Sequence, residues 1–221
     1  MATALDTVTW KRLQTTEGLS QYQKQNMVRL KAWKLYLWRN ADHGVSCAGD
    51  LCQDEKGGGQ AHLVWECPDA QAFWVNWLRR WGLTEREVSD GGAASALGSI
   101  FSFRCQDLPT WLIEWGRSQE EAVWEVLFDV ANEMWVRGCA ATVTAIWRRN
   151  VERVHPEGAV PTTLDGAVAK WVHFVADVFC RFRLSCYPLR GTATMKIAVV
   201  NEISRHWWAE IPTGSLRLRN G

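Results

Sequence analysis

Apolar positions along this chain recur mostly at steps of three and four, the spacing that gathers side chains on one side of an α-helix. The clearest run is Ala70, Phe73, Trp74, Trp77, Leu78 and Trp81. Pro68 suits the first position of that helix, where a missing N–H costs nothing, and Gly82 supplies its stop. Arg79 and Arg80 fall in the last turn, where cations favour the helix dipole. Residues 21–39, "QYQKQNMVRLKAWKLYLWR", hold no Pro or Gly and predict a basic amphipathic helix. Leu30, Trp33 and Leu37 follow one side of it, and Lys24, Lys31 and Lys34 another. Ser118 followed by Glu121 reads as a capping box that opens a long helix toward Val154, with Gly138 as a point of interruption. Val168, Trp171, Val172, Val175, Phe179 and Phe182 predict a further helix ahead of Pro188.

Between these runs, "TEREVSDGGAASALGS" and "HPEGAVPTTLDG" are punctuated by glycine and proline and read as loops. "MKIAVVNEISRHWW" reads as a helix, or as a short strand followed by one, and "GSLRLRNG" as extended chain. No long repeat is visible and alternating strands are scarce. The predicted fold class is therefore mainly α: a multi-helix bundle with at most a short strand or hairpin near the C-terminus. Residues 1–88 would carry the basic helix, a Cys/His segment and the Trp-rich helix. Residues 89–108 form the expected linker and 109–221 a second helical region, which either stands apart or packs with the first as a single domain.

Composition changes this picture in two ways. Fifteen tryptophans demand a large aromatic core and leave a few rings for interfaces. Twenty-five Lys and Arg nearly cancel 24 Asp and Glu, a net charge of +1, so nucleic-acid or membrane attraction has to come from a local patch. The 21–39 helix offers one: Lys24, Arg29, Lys31, Lys34 and Arg39 are the candidate nucleic-acid or partner-binding cations, and a solvated cationic face is the plainer reading. Seven cysteines at irregular spacing fit a reduced compartment, nucleus or cytoplasm, better than a disulfide framework. No apolar run approaches a membrane span, and "MATALDTVTW" lacks the basic start and apolar core of a leader. Neither a membrane nor a small-molecule substrate is expected as a partner.

The candidate chemistry is metal binding. In "CAGDLCQDEKGGGQAHLVWECP" the spacing is Cys47-x4-Cys52-x9-His62-x4-Cys67, two close pairs joined by a loop made pliable by Gly57, Gly58 and Gly59. Each pair can supply one edge of a tetrahedron, so the expected cofactor is zinc in a closed Cys3His staple with no open position for water. His43 reads as an ordinary loop histidine, and Cys105, Cys139, Cys180 and Cys186 as buried thiols. No phosphate-binding glycine loop, H-E-x-x-H or G-x-S-x-G is present. Pairing of Cys180 or Cys186 with His173 or His206 reads as packing, and Glu120, Glu121, Glu125 and Asp129 as a solvated face. No enzyme is expected.

"HLVWECPDAQAFW", within the segment 47–74, resembles the zinc-binding region that follows the polymerase in non-LTR retroelement reverse transcriptases. "AIWRRN", residues 145–150, is similar to the ending of the next helix in that family, and "WWAEIPTGSLRLRNG" to its connector toward a ribonuclease H domain. Polymerase and ribonuclease H residues are absent, so the resemblance implies the non-catalytic part of such a protein, or an RNA-binding zinc knuckle within one. In size, helical make-up and retroelement-like content the chain is also similar to the oomycete effectors called Phytophthora suppressors of RNA silencing. That resemblance implies a leader-less mature effector acting in the host nucleus or cytoplasm. Its partner would be a host protein of RNA processing or a small-RNA pathway, with RNA as the other candidate.

Overall fold

Residues 134–144 are buried on every side of a helix, and this stretch is the axis on which the rest of the chain is packed. The computed structural model describes residues 1–35, 52, 59–83, 93–154, 162–187 and 192–209. Among them the helices are α1 (Ala2–Asp6), α2 (Trp10–Thr15), α3 (Gln21–Lys31), α4 (Pro68–Arg80), α5 (Ala93–Ser102), α6 (Thr110–Arg117), α7 (Glu121–Val154), α8 (Leu164–Cys186) and α9 (Ala193–Ala209). A π-helical segment, His62–Glu66, precedes α4. The described residues contain no strand, and "GSLRLRNG" lies outside them.

The long helix α7 packs against α3, α4, α5, α6, α8, α9 and the π-helical segment. Over residues 134–144 that surround leaves no face polar, which is why α7 as a whole lacks a clean amphipathic pattern. Its buried hydroxyls are satisfied internally, Thr142 donating to Gly138 O at 2.8 Å and Thr144 to Ala140 O at 2.8 Å. Gly138 does not interrupt the helix. A Cβ there would lie 1.9 Å from Cη2 of Trp77, so the missing side chain is what lets the indole lie against the backbone of α7. Around Trp77 stand Trp81 and Trp135 at 5.4 Å and Trp207 at 5.5 Å between ring centroids, joining α4, α7 and α9 in one aromatic cluster.

The Trp-rich helix follows its sequence pattern. Ala70, Phe73, Trp74, Trp77, Leu78 and Trp81 are all buried. Gly82 adopts φ +106°, and the N–H groups of Gly82 and Leu83 bond back to Arg79 O and Leu78 O, the paired bonds of a Schellman stop. Arg80 does more than complement the dipole: its guanidinium donates to Trp207 O at 2.8 Å and ties α4 to α9.

Three local expectations need correction. Ser118 closes α6 instead of opening α7, its hydroxyl donating to Trp115 O at 2.6 Å. Within the stretch read as a linker, Ala93–Ser102 is helical as α5, and Ile100 and Phe101 within it and Phe103 just after it are fully buried. Alanine and leucine favour a helix there, and the apolar end of the segment needs a core to enter. The basic helix ends at Lys31, well before residue 39, because Trp33 takes the left-handed conformation, φ 54°, and Trp33 and Lys34 bond back to Leu30 O and Arg29 O. Glycine normally fills that position, so no sequence signal marked the stop.

Candidate metal centre

The π-helical segment exists because Cys67 N–H bonds five residues back, to His62 O at 2.8 Å. Widening the turn in this way brings His62 and Cys67 to the same side. Cys67 is then the residue from which α4 starts, its C=O accepting from Gln71 N at 2.9 Å. A sulfur at that place sits where the positive end of a helix dipole favours negative charge. Cys52 completes the group: its Sγ lies 3.4 Å from His62 Nε2, and the ligand atoms of Cys52, His62 and Cys67 all lie within 4.8 Å of one another. Cys67 and His62 are buried and Cys52 is half-buried. This Cys2His set can hold a metal ion. The fourth expected ligand, Cys47, lies outside the described residues, as do His43 and Arg39.

Around the cluster stands a polar frame that sequence reasoning did not single out. Asp69, in the first turn of α4, accepts from Arg149 Nε at 3.1 Å, with both side chains 5% exposed, and Arg149 also donates to Thr162 O at 2.9 Å. Asn150 Nδ2 reaches Leu63 O at 3.5 Å, and Trp74 Nε1 donates to Val64 O at 2.7 Å. Gln71 donates to Trp65 O. The π-helical segment, short of ordinary helical bonds, is thus held by side chains of α4 and α7. Gln60 holds the other end: it donates to Leu30 O at 2.8 Å and accepts from Leu35 N at 3.0 Å, replacing bonds that a continuing α3 would have made. The sequence signal for this frame lay inside "CPDAQ" and "AIWRRN", where Asp69, Gln71, Arg149 and Asn150 sit.

The candidate cations of α3 fare differently from one another. Lys31 is engaged within the molecule, donating to Leu5 O at 2.8 Å and lying 5.2 Å over the Trp10 ring. Arg29 and Lys34 are exposed and Lys24 half-buried, and Lys24 and Arg29 line a groove with Gln14, Gln21, Gln25 and Val28. The remaining chemistry is structural in character. His206 stacks on Trp111 at 3.9 Å and His173 lies 5.5 Å from the Trp208 ring. Cys105, Cys139 and Cys186 are buried as expected, whereas Cys180 is exposed, on the outer side of α8. Burial pushes the Cys105 thiol up to about 12 and the Cys139 thiol well above its ordinary value. Glu120, Glu121, Glu125 and Asp129 are exposed. Among the described residues no helix is long and apolar enough to cross a membrane.

Compared with models of protein families, with curated proteins and with solved structures, the chain matches none.

Proposed function

We propose that this chain is a non-catalytic helical module, stapled by structural zinc, that acts by binding another macromolecule. The observation that carries this reading is the convergence of Cys52, His62 and Cys67 at the foot of α4, whose inner face enters the aromatic core. Zinc–sulfur and zinc–nitrogen bonds of about 2.3 and 2.0–2.1 Å at a tetrahedral angle put the two donors about 3.5 Å apart. The separation of Cys52 Sγ and His62 Nε2, 3.4 Å, fits that edge. Two thiolates and one imidazole are soft and borderline donors that suit zinc over magnesium or calcium. With Cys47 as fourth ligand the shell is closed, and the metal contributes folding free energy instead of activating water.

The binding role rests on the resemblance of residues 47–74 to the retroelement zinc-binding region and on what the surface offers. Trp10, Tyr22, Trp33, Trp124, Phe128 and Trp208 are each more than two-fifths exposed, a supply of anchors for a protein partner. A host protein of RNA processing, met by a pathogen effector in nucleus or cytoplasm, is the partner class this reading favours. RNA is the alternative, favoured by Lys24 and Arg29 beside one groove.

Zinc-loaded protein used as bait in a eukaryotic nuclear extract, with and without ribonuclease, separates the two. Protein partners that survive the nuclease are the expected result. Under the RNA alternative the nuclease removes them, and replacing Lys24, Arg29 and Lys34 with Ala flattens the slope of log affinity against log salt by up to about 0.7 per lost contact.

A further inference from the structure

The surface of this nearly neutral chain is divided by charge. On the first turns of α7, Glu121, Glu125 and Asp129 form a row at i, i+4 and i+8, and Trp124 and Phe128 run beside them, 43% and 47% exposed. Glu121, in the first turn, suits the positive end of the helix dipole, whereas Glu125 and Asp129 lie beyond that turn, where like charges four residues apart weaken a helix. None of the three carboxylates forms an ion pair with a described residue. Trp124 is also held in place: its ring rests on Gly116 of α6, where a Cβ would come within 2.9 Å of Cε3. An exposed aromatic already fixed in one position loses little freedom when a partner covers it.

Beside α3 lies the opposite surface, the groove of about 490 Å³ between α2 and α3. Among the described residues its lining holds two cations, Lys24 and Arg29, four residues without charge and no acid. Exposed Tyr22 lies on the same helix. We propose that copies of this chain associate by seating the acidic, aromatic ridge at the start of α7 in the basic groove beside α3 of another copy.

Charge is what matches the two surfaces: exposed carboxylates on one, and on the other Lys24 and Arg29, which project about 140° apart around α3 and flank Gln21, Gln25 and Val28. The net charge of +1 leaves almost no overall repulsion between copies to oppose the contact. A foreign basic segment could meet the ridge too, but this chain already carries a surface of matching charge. The proposal does not depend on the macromolecular partner inferred above.

Sedimentation velocity of the zinc-loaded chain over a concentration series, at low and high salt, tests it with two charge-reversed variants. One is Glu125→Lys with Asp129→Lys, the other Lys24→Glu with Arg29→Glu, each first shown by circular dichroism to keep its helix content. The wild-type chain should associate, more weakly at high salt. Each variant alone should associate at least about tenfold more weakly, because like charges then face one another. An equal mixture of the two should recover association, since each reversed surface meets a reversed partner. Phe128→Ala should weaken association without changing its salt dependence. A wild-type chain that stays monomeric throughout, variants that associate as the wild type does, or a mixture that fails to recover would each overturn the proposal.

Discussion

Gly138 shows how a single missing side chain can set the packing of three helices. In an exposed helix, replacing glycine by alanine helps by about 1 kcal/mol. Here the added methyl would collide with Trp77, whose ring is hemmed in by Trp81, Trp135 and Trp207 and has no open direction in which to retreat. Gly138→Ala is therefore expected to destabilise the protein by about 3 kcal/mol, at the upper end of overpacking costs, when measured by urea unfolding. Trp77→Phe removes the ring atoms that collide, so the double variant should lose less than the sum of the two single losses. Cys105 makes a second prediction at this scale. Its folded pKa of about 12 stands above the thiol's ordinary value of 9.0, because burial disfavours the thiolate. The unfolded chain releases that proton first as pH rises, so the contribution is fully present below about pH 9 and is lost as pH climbs toward about 12. Stability should fall over that window, and Cys105→Ala should make the fall shallower.

At the scale of elements, the π-helical segment and α4 form one unit, because Cys67 belongs to both. If the proposed metal is held there, losing the sulfur removes one of its ligands at the start of α4. Cys67→Ser should lower the metal content measured by elemental analysis and lower the melting temperature. Chelation of the wild-type protein should lower the melting temperature in the same way, and an unchanged one would exclude a structural metal. The stop of α3 has a similar origin in tertiary contacts. Trp33 and Phe103 both hold left-handed backbone at helix ends, φ 54° and 51°, where an L side chain costs roughly 1–2 kcal/mol. Gln60 holds the chain past the first of these turns, and the buried ring of Phe103 anchors the second. Neither turn could be read from composition, because the sequence cue for such a turn is glycine.

Across the whole molecule, the pair Asp69–Arg149 links the segment of the Cys/His cluster to the far half of the chain, 80 residues away. Both partners are buried, so removing Arg149 takes from Asp69 its 3.1 Å hydrogen-bonded ion pair and leaves the more distant Arg153, at 4.0 Å, as a weaker counter-charge. Arg149→Ala is expected to cost about 3–5 kcal/mol by denaturant unfolding and to weaken metal retention in a competition with a chelator. Arg149→Lys should recover only part of the loss, since one ammonium cannot serve Asp69 and Thr162 O with the fixed fork of a guanidinium.

What the sequence determined by itself was whatever depends on near neighbours. Steps of three and four placed α4 and its buried face, Pro68 and Gly82 marked its ends, and the spacing of Cys52, His62 and Cys67 picked out three residues that stand together and could hold a metal ion. Their side-chain directions follow from a few consecutive dihedrals, and those a short segment carries with it. The tertiary structure decided what depends on residues far apart in the chain. Gly138 became a seat for Trp77, Lys31 was drawn to Leu5 and Trp10, α3 stopped at Gln60, and the stretch read as a linker became α5 with Phe101 against Trp65 and Trp74. In each case the local sequence allowed more than one conformation of similar free energy. The selection came from burying an aromatic ring or satisfying a buried polar group, and both require a partner that arrives only when the chain has folded.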